Sequence, residues 1–136
     1  VPVLVQGDEV ARWVAEKTSA DLTAKAQAIG LLKDGKLIAG VAYDCYSGTN
    51  VFAHQRIEGR VTREFWWAVF SYPFEDLECN RITGFVQATN DKAMKLNEHL
   101  GFVEECRLKG AAHDGSDMLL MVMWKKDCRM LNWRRT

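Results

Sequence analysis

Charge of one sign is what this sequence most plainly lacks. Eighteen Lys and Arg are balanced by eighteen Asp and Glu, for a formal net charge of 0. A neutral total gives no general pull toward nucleic acid or an anionic membrane surface, so neither is an expected partner. No apolar run approaches the roughly 18 residues of a membrane span, and no secretory leader pattern opens the sequence. Cys45, Cys79, Cys106 and Cys128 have no paired CxxC spacing, which leaves a metal site without support. Three of them fall in or beside strand-like segments, where a free cysteine acts as a small apolar residue. The simplest expectation is a cytoplasmic protein with reduced thiols and no metal. Low-complexity linkers and internal repeats are also missing, so one domain over residues 1–136 is expected.

What is present is an ordinary globular balance, 48% apolar and 26% charged, which excludes a disordered chain. The ending is the most biased part. Lys125, Lys126, Arg129, Arg134 and Arg135 face a single acid, Asp127, and residues 126–136 read as a basic C-terminal extension. Trp133 within it must pack on its own domain or on a second subunit of a homodimer.

The pattern divides into two halves. Val10, Trp13 and Val14 recur at helical spacing after Asp8, a potential cap, predicting a helix through about Lys17. Gln27–Leu32 and Lys36–Tyr46 read as strands joined at Asp34-Gly35, a hairpin signal, and Val51–Ile57 as a third antiparallel strand. Thr62 then caps a helix carrying Phe65, Trp66, Val69 and Phe70 inward until Pro73 disturbs it. Trp66 is expected in the core. Trp67, about 100° away on the helix, could line an acceptor groove with Tyr43 or Tyr46. Arg81–Gln87 reads as a strand, Asn90 caps a helix ended by Gly101, and Phe102–Leu108 and Asp117–Lys125 complete the strands. A strand–helix–strand crossover in this half can create a parallel neighbour. Helix starts after strands lie at Glu58–Arg63 and Ala88–Lys92, where unpaired N–H groups favour phosphate.

The segment Asn80–Glu105, NRITGFVQATNDKAMKLNEHLGFVEE, resembles the cofactor-binding half of the GNAT N-acetyltransferase superfamily. It is most similar to the branch that acetylates the N-termini of ribosomal proteins. The matching features are Asn80-Arg81-Ile82, then Asn90, Ala93 and Leu96, then Leu100-Gly101-Phe102 followed by acid. The resemblance implies an α/β fold with a mixed, centrally splayed sheet flanked by helices. It implies acetyl-CoA as cosubstrate, lying between the strand ending at Ile57 and the strand Arg81–Gln87. The turn Glu58–Arg63, with Gly59, Arg60, Val61, Thr62 and Arg63, would hold the pyrophosphate. Asn90 would reach the pantetheine or adenylate end, and Ala93 and Asn97 would flank the sulfur. A backbone N–H near Arg56–Ile57 would face the thioester oxygen. Two departures stand out: Gly59 is the only glycine left in the phosphate turn, and Asn97 replaces the tyrosine that many relatives use as an acid.

Direct transfer to an amine needs a base. Glu58, close to the sheet opening, is the first candidate, His54 the second for its near-neutral pKa, and Ser71 a relay. Cys79 and Cys106 lack an activating base, which disfavours an acetyl-enzyme. Two other readings stay open at this point: an acyl-CoA-binding protein without catalysis, and a partner-binding domain with a closed cleft.

Overall fold

The computed structural model describes residues 1–18 and 20–133. Its elements are β1 (Val3–Gln6), α1 (Asp8–Thr18), β2 (Gln27–Lys33), β3 (Lys36–Asp44), β4 (Asn50–Ile57), α2 (Arg63–Ser71), β5 (Arg81–Gln87), α3 (Asp91–Leu100), β6 (Val103–Leu108) and β7 (Met118–Trp124). The described strands form one sheet in the order β1-β2-β3-β4-β5-β7-β6. Of the adjacent pairs, β4 and β5 alone run parallel.

Local chemistry accounts for most boundaries. Asp34 and Gly35 have φ of 53° and 79°, so both central residues of the β2–β3 turn are left-handed and match the strand twist. Cys45, at φ 56°, breaks the extended backbone and ends β3 at Asp44, short of the expected Tyr46. Thr62 Oγ1 accepts from the Phe65 N–H at 3.0 Å and starts α2. Asn90 Oδ1 accepts from Ala93 N–H at 3.1 Å and starts α3, and Gly101, at φ 106°, ends it. Asp8 is the first helical residue rather than the cap, because Gly7 O already accepts from the Val10 and Ala11 N–H groups. Two elements differ from the sequence reading. The short β1 joins the sheet through Val3↔Leu32 to Gln6↔Ile29. Pro73 does not simply stop α2; the chain runs on as a π-helical turn, Tyr72–Asp76, with Leu77 N–H bonded to Tyr72 O at 3.0 Å.

The two faces of the sheet are covered unequally. Ala28, Gly30, Gly40 and Ala42 form cross-strand pairs of small residues, and α1 sits directly on them. A methyl at Gly40 would stand 2.9 Å from Val14 Cγ2 and 3.1 Å from Val10 Cγ1. The other face carries the main core. There Val41, Tyr43, Val51, Ile82 and Met123 meet Phe65, Trp66, Val69 and Phe70 of α2 and Leu100 of α3. Beyond β7 the chain makes two 3-10 turns, Lys125–Asp127 and Arg129–Asn132, that bury Cys128 and Met130 in this core. Arg129 donates to His99 O at 2.6 Å and Leu100 O at 3.2 Å, capping the end of α3. Trp133 packs on its own chain, between the guanidinium groups of Arg63 (4.5 Å) and Arg129 (5.6 Å). The stretch read as a basic extension thus carries core residues as far as Met130. Arg134 and Arg135 lie outside the described residues.

Gly40→Ala should cost about 1–3 kcal/mol through overpacking against two stiff valines. Met130→Ala should cost about 2–5 kcal/mol, as expected of a fully buried methionine. Urea unfolding of each variant measures both; a neutral Met130→Ala would mean that the C-terminal turns are not part of the cooperative core.

Candidate active site

The parallel junction opens the site. β4 and β5 pair over four residues only, from Asn50↔Arg81 to Ala53↔Gly84, although β4 continues to Ile57 and β5 to Gln87. Past that point each strand follows its antiparallel neighbour. β4 stays with β3 through Ala39↔Ile57, and Glu58 N–H donates to Ile38 O at 2.7 Å. β5 stays with β7 through Gln87↔Met118. The closed end is clamped by buried Thr83, whose hydroxyl donates to Asn50 Oδ1 at 2.7 Å and accepts from Arg81.

A cleft of about 640 Å³ fills the gap, the size of an ordinary small-molecule site. Its depth is apolar, with Val41, Tyr43, Trp66, Phe70, Leu96 and Phe102. Tyr43 is no acid here: its hydroxyl donates to Val69 O, and burial, then the neighbouring Tyr72, raises its pKa well above 10.0. Of the paired tryptophans, Trp66 holds its expected core position and also reaches the cleft. Trp66 lines it, whereas Trp67 does not, and of the tyrosines Tyr43 rather than Tyr46 reaches it. Trp66 is at once a core residue and a cleft residue, a double role that helical periodicity cannot separate.

The predicted site residues divide into three groups. His54, Arg56, Ile57 and Glu58 line one wall, and Asn90, Ala93 and Asn97 the other. Gly59, Arg60, Val61, Thr62 and Arg63 form the turn at the end of β4 and the first residue of α2, next to Glu58 but beyond the lining. Gly59 is packed close, since a Cβ there would lie 3.0 Å from Ile38 Cβ. Arg60 is exposed, and Arg63 lies over Trp133. Ser71 is buried away from the cleft, its hydroxyl donating to Glu75 Oε1 at 3.2 Å, so the fold does not bring it to the others. The lining also includes Lys17, Phe85 and Met118, which patterning alone read only as helix or strand residues.

Electrostatics ranks the two base candidates. Arg56 lies with its guanidinium 4.0 Å from the Trp13 ring centroid and donates to Trp13 O and to Glu58 Oε2, each at 2.7 Å. That hydrogen bond, with the charges of Arg56, Lys17 and Lys36, outweighs desolvation and holds Glu58 below the usual carboxylate range. Glu58 is therefore a poor proton acceptor. His54 points to the same sheet face as its cross-strand partner Ala42, the side of α1. Burial lowers its pKa from 6.5, opposed by the carboxylate of Asp44, a shift that favours the neutral imidazole. Asp44 is itself buried; burial pushes its pKa up, but the Thr23 hydroxyl and N–H (2.6 Å each) and the Cys45 N–H (2.9 Å) more than offset this, and it stays ionised. Asn97 is buried, and its Nδ2 donates to Ala93 O at 2.8 Å, one turn back on α3. Its amide has a second N–H but no acidic proton. Among the described residues no three His, Cys, Asp or Glu side chains gather to hold a metal, and no helix is long and apolar enough to cross a membrane.

An open mixed sheet that splays at its one parallel pair, with helices on both faces, is the acyl-CoA N-acyltransferase (GNAT) fold. Solved structures bear this out. The spermidine/spermine N-acetyltransferase SpeG from Vibrio cholerae superposes with a TM-score of 0.72 at 18% identity, covering 99% of this chain and 100% of its own. A dodecameric form of the Vibrio spermidine N-acetyltransferase gives 0.73 at 16% identity, over 92% and 94%. The Campylobacter jejuni N-acetyltransferase PseH, solved with acetyl coenzyme A, gives 0.63 at 13% identity, over 92% and 99%. No family model matches the sequence, and no curated protein does either. The likeness is one of fold.

An NMR titration should place the His54 midpoint below 6.5. Asp44→Asn should move it lower still, because it removes the negative charge that raises it. The sign carries into stability. As pH falls below 6.5 the unfolded chain binds a proton that folded His54 resists, so this group lowers stability until the folded midpoint is passed. A His54 midpoint above 6.5 would remove the argument for a neutral base.

Proposed function

We propose that this protein transfers the acetyl group of acetyl-CoA to a primary amine, with both substrates held in the cleft together. The carrying observation is the parallel pair that ends at Ala53↔Gly84 and leaves the edges of β4 and β5 facing each other across the gap. Unpaired strand edges need hydrogen-bond partners, and the amide-rich pantetheine arm supplies them. PseH, which has the same fold, is solved with acetyl coenzyme A. The turn Glu58–Arg63 and the start of α2 would take the pyrophosphate, whose charge suits a helix N-terminus. Ala93 and Asn97 would flank the sulfur, with the backbone at Arg56–Ile57 beside the thioester oxygen.

His54 is the proton acceptor in this reading. The amine nitrogen forms its bond to the thioester carbonyl carbon, the carbon–sulfur bond breaks, and the amine proton passes to His54. The thiolate takes its proton from water, since the only tyrosine lining the cleft, Tyr43, is sealed against Val69. A second reading, binding without turnover, draws on Asn97, which offers no acid and has one N–H committed to Ala93. The finer assignment to a branch acting on protein N-termini rests on the residues of Asn80–Glu105 alone. Spermidine, which names the Vibrio neighbours, is a triamine whose further ammonium groups call for carboxylates at the acceptor site.

Calorimetric titration with acetyl-CoA and CoA, and with NADH alongside, tests the site. Both CoA ligands should saturate and NADH should not; no binding by folded protein at millimolar ligand would sink the proposal. His54→Gln should lower kcat by about 100-fold or more and leave acetyl-CoA affinity unchanged, while Glu58→Gln keeps kcat near that of the wild type. The reverse pattern would return the role of base to Glu58, and binding with no thiol release for any amine would favour the second reading.

A further inference from the structure

Which amine the site accepts can be read from what surrounds its open side, on the premise that it is the acetyltransferase proposed above. Residues of β4 and β5 that point toward the α1 face, His54 on one strand and Phe85 and Gln87 on the other, border that side. Among the described lining residues Lys17, Arg56 and Lys92 are cationic, and Glu58 is the one carboxylate. Glu58 is already bonded to Arg56. Asp44, the nearby buried acid, does not line the cleft and is occupied by donors from Thr23 and Cys45. A second ammonium group would therefore meet the cations Lys17 and Lys92, an Arg56 whose charge Glu58 offsets, and no available carboxylate, at a cost that rises as water is excluded.

The same side offers apolar surface. Phe52 and Phe85 stack with centroids 5.5 Å apart and planes at 2°, just where the two strands part. Phe85 remains 40% exposed although its other flank is covered by Phe52. Next to it Met118 also lines the cleft, and Leu108, paired with Met118, is 41% exposed. α1 packs mainly on β2, β3 and β4, with a smaller contact on β1. The apolar surface is thus continuous with the acceptor mouth and within reach of the group that binds there.

We propose that the acceptor is a singly charged primary amine carried on an apolar, ring-sized group, with the nitrogen at His54 and the ring packed on Phe85 and Met118. Aromatic and thioether surfaces favour such a ring, and the cationic lining rejects di- and polyamines.

The test measures thiol release from acetyl-CoA with phenethylamine, spermidine and an alanine-initiated peptide amide as acceptors. It is paired with calorimetry of acetyl-CoA on the same samples. Phenethylamine should exceed spermidine in kcat/KM by about 100-fold, the scale set by an unpaired buried charge. Phe85→Ala should raise KM for phenethylamine about 10-fold, in line with one lost ring contact, and leave acetyl-CoA affinity alone. Comparable or better use of spermidine or of the peptide would overturn the assignment, as would an unaltered KM in Phe85→Ala. If acetyl-CoA binds and no amine reacts, the acceptor assignment falls and the cofactor site stands; if acetyl-CoA does not bind, the underlying proposal falls first.

Discussion

Competition between neighbours governs the architecture. A parallel pair is weaker per residue than an antiparallel one, and here β4 and β5 each keep an antiparallel partner on the outer side past the point where they part, β3 along Phe52–Ile57 and β7 along Arg81–Gln87. The Thr83–Asn50 hydrogen bond and the four adjoining pairs hold the closed end. Beyond it, Arg56 on Trp13 and Glu58 N–H on Ile38 O draw β4 toward α1 and β3. The cleft is the space left by that division, and its walls are backbone edges with unused hydrogen-bonding capacity.

Charge placement around the cleft follows from the same geometry. Arg56 fixes β4 to α1, and in doing so holds the Glu58 carboxyl below the usual carboxylate range. His54 is left with a pKa lowered from 6.5, because burial disfavours its cation more than Asp44 restores it. Structural and electrostatic roles are thus coupled: one guanidinium both anchors β4 to α1 and holds the Glu58 carboxyl below its usual range.

Much of this was legible in the residues. Asp34-Gly35, Thr62, Asn90 and Gly101 each act through local backbone chemistry, and each does what its residue type suggests. β1 escaped notice because four residues with one polar end carry no periodicity to detect. Trp66 is a core residue as its spacing suggests, and its second place on the cleft wall is hidden, since the wall of a cleft that reaches into the core looks identical to the core itself in sequence. Ser71 reads as a relay, but its hydroxyl turns to Glu75 in the π-helical turn that follows α2. The preference for His54 over Glu58 depended on a contact between Trp13 and Arg56, 43 residues apart, which no local pattern contains.

Strand order has a consequence for biosynthesis. β7, the last of the described strands in chain order, lies between β5 and β6, so on a ribosome β5 and β6 both emerge before the strand that joins them. Until residue 124 has been added, one half of the sheet keeps an unsatisfied inner edge and β6 has no place to dock. Met130 and Cys128, which close the core over α2, arrive later still. Such non-local closure is slow, and it exposes apolar strands to other chains while it waits. Vectorial synthesis therefore presents β1 to β5 as a sheet with one open edge, and closing that edge with β7 is a late step.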